Sequence, residues 1–321
     1  MKKSLLGAAL ALAVVAPAFA AWPSAPVTIV VPFAAGQTGD IVARLIGKEL
    51  ASQLGQPFIV DNRPGSGGRT GTAYVAKAKP DGYTLLMTST GPYALAPALY
   101  PKLTPYNPVK DFVGIAEAAS TPQIIAVSNQ SGITSFQDLV KQAKSKDLSY
   151  GSAGNGSTQH LTMEILKKEI GMPMVHVPFK GSAESKMQVM SGLLQVTSDS
   201  LPAIYANLQG GQLRAVAVVD DKRSPYLPNV PTLQEQGFPK LNTVAFFGLV
   251  APRGTPKEVV DVLNKRVVAL FRTPAFQEKM KELALTPPEE RTSEQFTSYL
   301  EKEVTRWKKF VDDAKVQVEQ Y

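Results

Sequence analysis

No cysteine occurs in the 321 residues, which excludes disulfides, thiol catalysis and every zinc site built on thiolates. Histidine is almost absent as well. The two present, His160 and His176, lack metal-ligand spacing, and neither a metal nor any other cofactor is expected. The chain has no G-x-S-x-G nucleophile elbow and no Gly-Lys-Ser/Thr phosphate loop, so neither an α/β-hydrolase triad nor a P-loop is indicated. Lysine and arginine form no block and do not alternate with aromatics, which excludes nucleic acid as a partner. Paired carboxylates for acid–base work are not visible.

Long apolar runs are missing except at the start. Lys2 and Lys3 precede an apolar stretch over residues 5–15, and Pro17-Ala18-Phe19-Ala20 follows. A charged region, a short apolar region and an A-x-A site make a secretory signal over residues 1–20. The run is shorter than the ~20 residues a bilayer core requires. Cleavage is predicted after Ala20, and no Cys follows to carry a lipid. The mature protein is therefore expected to be a soluble, periplasmic monomer. Without Lys2 and Lys3, 32 basic residues face 27 acidic ones, a net charge of +5 that suits an anionic small ligand.

The remaining ~300 residues suggest two domains. Strands are predicted at 27–31, 58–60, 83–87, 124–127, 148–150, 174–177, 194–197, 213–219 and 244–250, with helices between them. The opening strand–helix alternation implies a parallel sheet with right-handed crossovers. Three helical segments follow the last strand, the final one with Ser293 as its N-cap, and this tail is expected to cover the first sheet. The simplest assembly is two α/β lobes: 21–120 with 240–321, and 121–239. Crossings near 115–123 and 225–244 would form a hinge, with a cleft between the lobes.

Two loops carry the candidate chemistry. Ala35-Gly36-Gln37-Thr38-Gly39-Asp40 joins the first strand to a helix, where backbone N–H groups and the helix dipole can seat an anion. The same loop can also be a plain helix cap, and Asp40 is favoured there whatever the function. Ser152, Gly154, Asn155 and Ser157 lie on a second loop of this type, which can clasp the same anion or simply turn the chain. His160 follows in the first helical turn, facing the cleft or packing. His176 reads as structural.

Asp199 ends a strand, where it can take a ligand amine or hydroxyl, or cap the next helix. Thr88 and Ser89 occupy the corresponding edge of the first lobe. Phe247 can wall the cleft or join the core. The stretch Gly65 to Gly71 mimics a dinucleotide fingerprint, but no acid follows at the right distance. It reads as a surface loop or cleft rim, with Arg63 and Arg69 solvated.

The motifs VPFAAGQTGDIVAR, DNRPGSGGRTG, KPDGYTLL, YGSAGNGSTQHL, HVPFKGSAES and FFGLVAPRGTP occur in this order. The chain thereby resembles the Bug receptors, the periplasmic substrate-binding proteins of tripartite tricarboxylate transporters, along nearly its whole mature length. The resemblance implies two doubly wound α/β lobes of the type II periplasmic-binding-protein kind, which close on a carboxylate ligand and deliver it to a membrane permease. It places the carboxylate between residues 35–40 and 152–157, with Asp199 open to an amine. Phe33 and Phe179, inside the first and fifth motifs, complete the candidate set. Three residues depart from the family pattern: Gln37 for a glycine, Gly39 for a threonine, and Ser198 for an aromatic. The rival readings are a secreted hydrolase with an unrecognised site and a receptor feeding a sensor kinase.

Overall fold

The computed structural model describes residues 22–238 and 241–314; the expected leader, 1–20, lies outside them. In chain order the strands are β1 (Val27–Val31), β2 (Phe58–Asn62), β3 (Thr84–Ser89), β4 (Phe112–Thr121) and β5 (Gln123–Ser128). They continue as β6 (Ser149–Ser152), β7 (Val175–Pro178), β8 (Val196–Ser200), β9 (Leu213–Val219) and β10 (Ala245–Pro252). Two five-stranded sheets result, ordered β2-β1-β3-β10-β4 and β7-β6-β8-β5-β9. Each has one reversed strand: β10 runs antiparallel between β3 and β4, and β5 between β8 and β9. The sheets are therefore mixed rather than parallel, because each receives one strand just after the chain has crossed from the other.

The pattern of apolar residues does not reveal β4. Gly114 and Glu117 interrupt it, yet it is the longest strand and carries the first crossing, with Pro122 alone between β4 and β5. Glu117 is buried there against Arg291, and burial, only partly offset by that guanidinium, pushes its carboxyl up to about 7. Gly114 marks a close approach: a Cβ would lie 2.9 Å from the Phe296 ring, and one on Gly248 of β10 would collide with the same ring. The last helix, Ser293–Ala314, thus rests directly on the first sheet, as the sequence suggests. Its N-cap is Thr292 rather than Ser293. Gln295 N donates to Thr292 Oγ1 and Gln295 Oε1 accepts from Thr292 N, a reciprocal capping box.

That helix also ties the lobes together. Phe296 and Leu300 pack with Tyr93, Phe112 and Phe246 of the first lobe. Two turns on, Trp307 and Val311 join a cluster containing Leu95 and Leu99 of the first lobe and Ile125, Leu161 and Met163 of the second. Trp307 is fully buried and its indole N–H donates to Glu303 at 3.1 Å. Truncation of this anchor leaves a large cavity, so Trp307→Ala is expected to lower unfolding stability by about 3–5 kcal/mol. Urea denaturation checks this; a loss below about 1 kcal/mol would show the helix end to be peripheral.

Candidate functional site

Strand β1 ends in the loop that starts the helix Thr38–Leu54. Gln37 stands at the N-cap position with extended backbone and makes no side-chain cap bond. The first helical bond runs from Ile41 N to Gln37 O, so the first-turn amides of residues 38–40 have no acceptor within the helix. Gln37 is 4% exposed, and its Oε1 finds no hydrogen-bond partner. Open amide donors at the positive end of a helix, enclosed beside a neutral polar side chain, can seat an anion.

Asp40 does not face that seat. Its carboxylate accepts from Gly36 N at 2.9 Å and Asn62 Nδ2 at 3.1 Å, and pairs with Arg44 at 2.9 Å. Burial pushes its pKa up, but Arg44, Gly36 N and Asn62 outweigh this and hold the carboxyl below the ordinary range. It braces the loop from inside. Ala35 and Gly36 stay exposed at the loop tip, and a Cβ on Gly36 would meet nothing within 4 Å. The enclosed part of the loop begins at Gln37.

The second loop joins β6 to the helix Thr158–Ile170 and repeats the device with different side chains. Gly156, like Gly36 at positive φ, donates its N–H to a side chain four residues on, here His160 Nδ1 at 3.3 Å. Unlike Gln37, Ser157 does cap its helix, accepting from His160 N at 3.3 Å. The His160 ring stacks on His176 at 4.2 Å, and His176 on Tyr150 at 4.8 Å. Burial lowers both imidazoles, with Lys167 adding to it for His160 and the other ring for His176, to about 4 and about 3 respectively. Both rings are neutral at pH 7.

Ser152 Oγ accepts from Gly154 N at 3.1 Å and lies 2.6 Å from His176 Nε2, a serine–histidine pair that the sequence does not reveal. It is not a nucleophile–base pair in any useful sense. A base with pKa about 3 has little capacity to accept the serine proton, and the hydroxyl is fully buried.

The two lobes meet at these loops. Thr38 Oγ1 lies 2.7 Å from Ser200 Oγ, and Gly39 packs against the Phe247 ring, which is otherwise part of the first-lobe core. A Cβ on Gly67 would collide with the carbonyl of Asn155, and one on Gly181 would stand 2.9 Å from Ala34 Cβ. Residues 65–68 are therefore cleft rim, and Phe33 packs behind Gly68. Phe179 is half-buried, with its carbonyl at Gly154. Arg69 is not solvated but 8% exposed, which corrects the sequence reading.

On the strands that carry the candidate edges, Thr88 Oγ1 and Ser198 Oγ are buried without a partner. Ser89, next to Thr88, is also buried, while Thr90 accepts from Phe246 N at 3.0 Å. Asp199, fully buried, accepts from Ser182 Oγ, from Gln159 Nε2 at 3.0 Å and from Ser200 N at 2.8 Å. These donors leave a ligand amine little room without displacing one of them. Sequence reasoning missed Gln159, Ser182 and Ser200, each at a helix start: the first two converge on Asp199 within the second lobe, and Ser200 also meets Thr38 of the first.

Residues 42–316 match the sequence profile of the tripartite tricarboxylate transporter family receptors. The chain belongs to that family. It is a member of the Bug receptors, which are solute receptors and not enzymes. Three solved receptors are similar in sequence and fold. The periplasmic binding protein BugD has a TM-score of 0.87 and 32% identity over 93% of this chain and 100% of its own. R. palustris Rpa4515, solved with adipate, has a TM-score of 0.88 and 36% identity over 92% and 99%. MatC (Rpa3494) from Rhodopseudomonas palustris, with bound malate, has a TM-score of 0.86 and 32% identity over 90% and 100%.

Two outcomes follow for this receptor. Gly67→Val is expected to hold the lobes apart, since φ is +63° and the added carbons meet Asn155. Small-angle scattering should return a larger radius of gyration than wild type with a cooperative melt retained; an unchanged radius means the contact yields.

Burial pushes the Asp199 carboxyl above its ordinary range, with hydrogen bonds from Ser182 and Gln159 opposing. A raised carboxyl contributes most in acid, and that contribution is lost as pH rises through the folded pKa. Asp199→Asn should therefore gain stability relative to wild type as pH rises above the ordinary aspartate value of ~4. Melting curves above that pH check the sign, and a variant that loses ground with rising pH contradicts it.

Proposed function

We propose that the protein is a periplasmic receptor that captures a small organic acid between its lobes and hands it to the permease of a tripartite tricarboxylate transporter. The observation that carries this reading is the uncapped helix start at Gln37 and Thr38, abutting Ser200 of the other lobe, with the hydroxyls of Thr88 and Ser198, each at or near a strand end, buried and unpartnered. Amides and hydroxyls suit a carboxylate: each oxygen can take two donors, and a neutral seat releases its ligand more readily than an ion pair would.

The candidate residues divide accordingly. Gln37, Thr38, Thr88, Ser89 and the loop 152–157 contact the ligand, Asp40 and His160 shape the two loops, and Asp199 organises Ser182 and Gln159. Two of the similar receptors are solved with adipate and with malate, which supports a di-acid over an amino acid. In this reading the leader is removed after Ala20, the lobes divide at 120/121 and 239/240, and the mature chain acts as a monomer.

A thermal-shift screen of dicarboxylates, tricarboxylates and aromatic acids tests the proposal. Ligand at 100 times its Kd adds about 2.7 kcal/mol, a rise of roughly 2–4 °C for a chain of this size. Esterifying one carboxylate of the active acid should abolish the rise. If no acid in the panel raises the melting temperature, the protein is not a carboxylate receptor.

A further inference from the structure

Arg69 is the one buried lysine or arginine among the described residues. Every buried acid there has its compensation: Asp40 pairs with Arg44, Glu117 with Arg291 and Glu303 with Arg306, while Asp199 takes three hydrogen-bond donors. Arg69 has no such partner. Its Nε donates to Ser66 O at 3.0 Å, its Nη1 is buried with no hydrogen-bond partner, and among the described residues no carboxylate lies within ion-pair distance. The guanidinium carbon sits 4.6 Å over the Tyr100 ring, a contact that offsets only part of the cost of burying an unpaired cation.

Its position shows what such a charge can serve. Ser66 precedes Gly67, which meets Asn155 and Ser157 of the second lobe. The edge of Tyr100 lies 3.2 Å from where Gly156 would carry a Cβ. Arg69 therefore stands at the seam between the lobes, on the flank of the loop that brings the second lobe's donors to the seat. The helix it opens, Arg69–Ala76, is fixed by a close approach of Gly71 to Pro32, so the side chain is held at this seam by backbone packing.

We infer that Arg69 receives the second acidic group of the ligand and makes the receptor selective for dianions. The inference rests on the carboxylate reading above, since the first carboxylate occupies the neutral seat. Seat and cation then divide the work: the seat accepts any carboxylate, and Arg69 sets the preference for a second charge at a distance. Without a dianion, the guanidinium must remain unpaired in the closed protein.

The test uses the full mature chain, its Arg69→Gln and Arg69→Lys variants, and length-matched acids at pH 7. The probes are succinate, glutarate and adipate against butyrate, pentanoate and hexanoate, with Kd measured by calorimetry. Wild type should bind its best diacid at least tenfold more tightly than the matching monoacid. Arg69→Gln should erase that ratio by weakening the diacid alone, and Arg69→Lys should restore part of it.

Relieved of an unpaired cation, unliganded Arg69→Gln should melt no lower than wild type. If Arg69→Gln weakens diacid and monoacid equally, or changes neither, Arg69 is a closure latch or a bystander and the inference falls. A variant that no longer melts cooperatively, with Arg69→Lys rescuing the fold but not the ratio, overturns it as well. A wild type that binds no acid at all overturns the carboxylate reading first, and this inference with it.

Discussion

The helix that begins at Thr38 must leave its first amides without acceptors, and the rest of the site is arranged around that constraint. An N-cap serine would satisfy one of them at once, as Ser157 does in the other lobe. Gln37 does not, and it is buried, so the open donors are kept in a place from which bulk water is largely excluded. Leaving such groups unmet costs about 1–3 kcal/mol each when they are fully desolvated. A protein that accepts this cost at one helix and avoids it at the symmetric one has two lobes with different tasks. The first leaves its helix-start amides open; the second meets one of its own with the Ser157 hydroxyl.

Much of this was legible in the sequence because it is local. Strands such as β1 and β9 are short β-branched runs, and their limits can be read directly from the residues. The two loops announce themselves by glycines between a strand and a helix. What was not legible depends on partners distant in the chain. Gly114 and Gly248 look like strand breakers until Phe296 is laid across both. Gly67 looks like a surface turn until Asn155 arrives from the other lobe, and Arg69, a polar residue after a glycine-rich loop, looks solvated for the same reason.

The reversed strands were equally invisible. Their direction is set by where the chain crosses, not by their own residues. No short repeat is readable between the halves either, yet both sheets share one strand order and both loops share the glycine N–H brace. The symmetry lives in backbone geometry, and side chains as unlike as Asp40 and His160 fill the same role.

That exchange has an electrostatic meaning. Asp40 carries a charge, but Arg44 lies against it and Gly36 and Asn62 donate to it, so little of that charge reaches the seat. His160 and His176 could carry positive charge, but burial holds them neutral down to about pH 4. Asp199 is surrounded by donors from Gln159, Ser182 and Ser200. Asp40, the two histidines and Asp199 are therefore either paired, held neutral or surrounded by donors, and a carboxylate bound as proposed would meet dipoles from these groups rather than net charge. Dipolar seats bind by geometry and lose little when the ligand leaves, whereas a buried ion pair is costly both to desolvate and to break. A receptor that must capture and then surrender its cargo is best built on dipoles, with at most one unpaired cation to choose among acids. Arg69, the one buried lysine or arginine among the described residues, is the side chain proposed to make that choice.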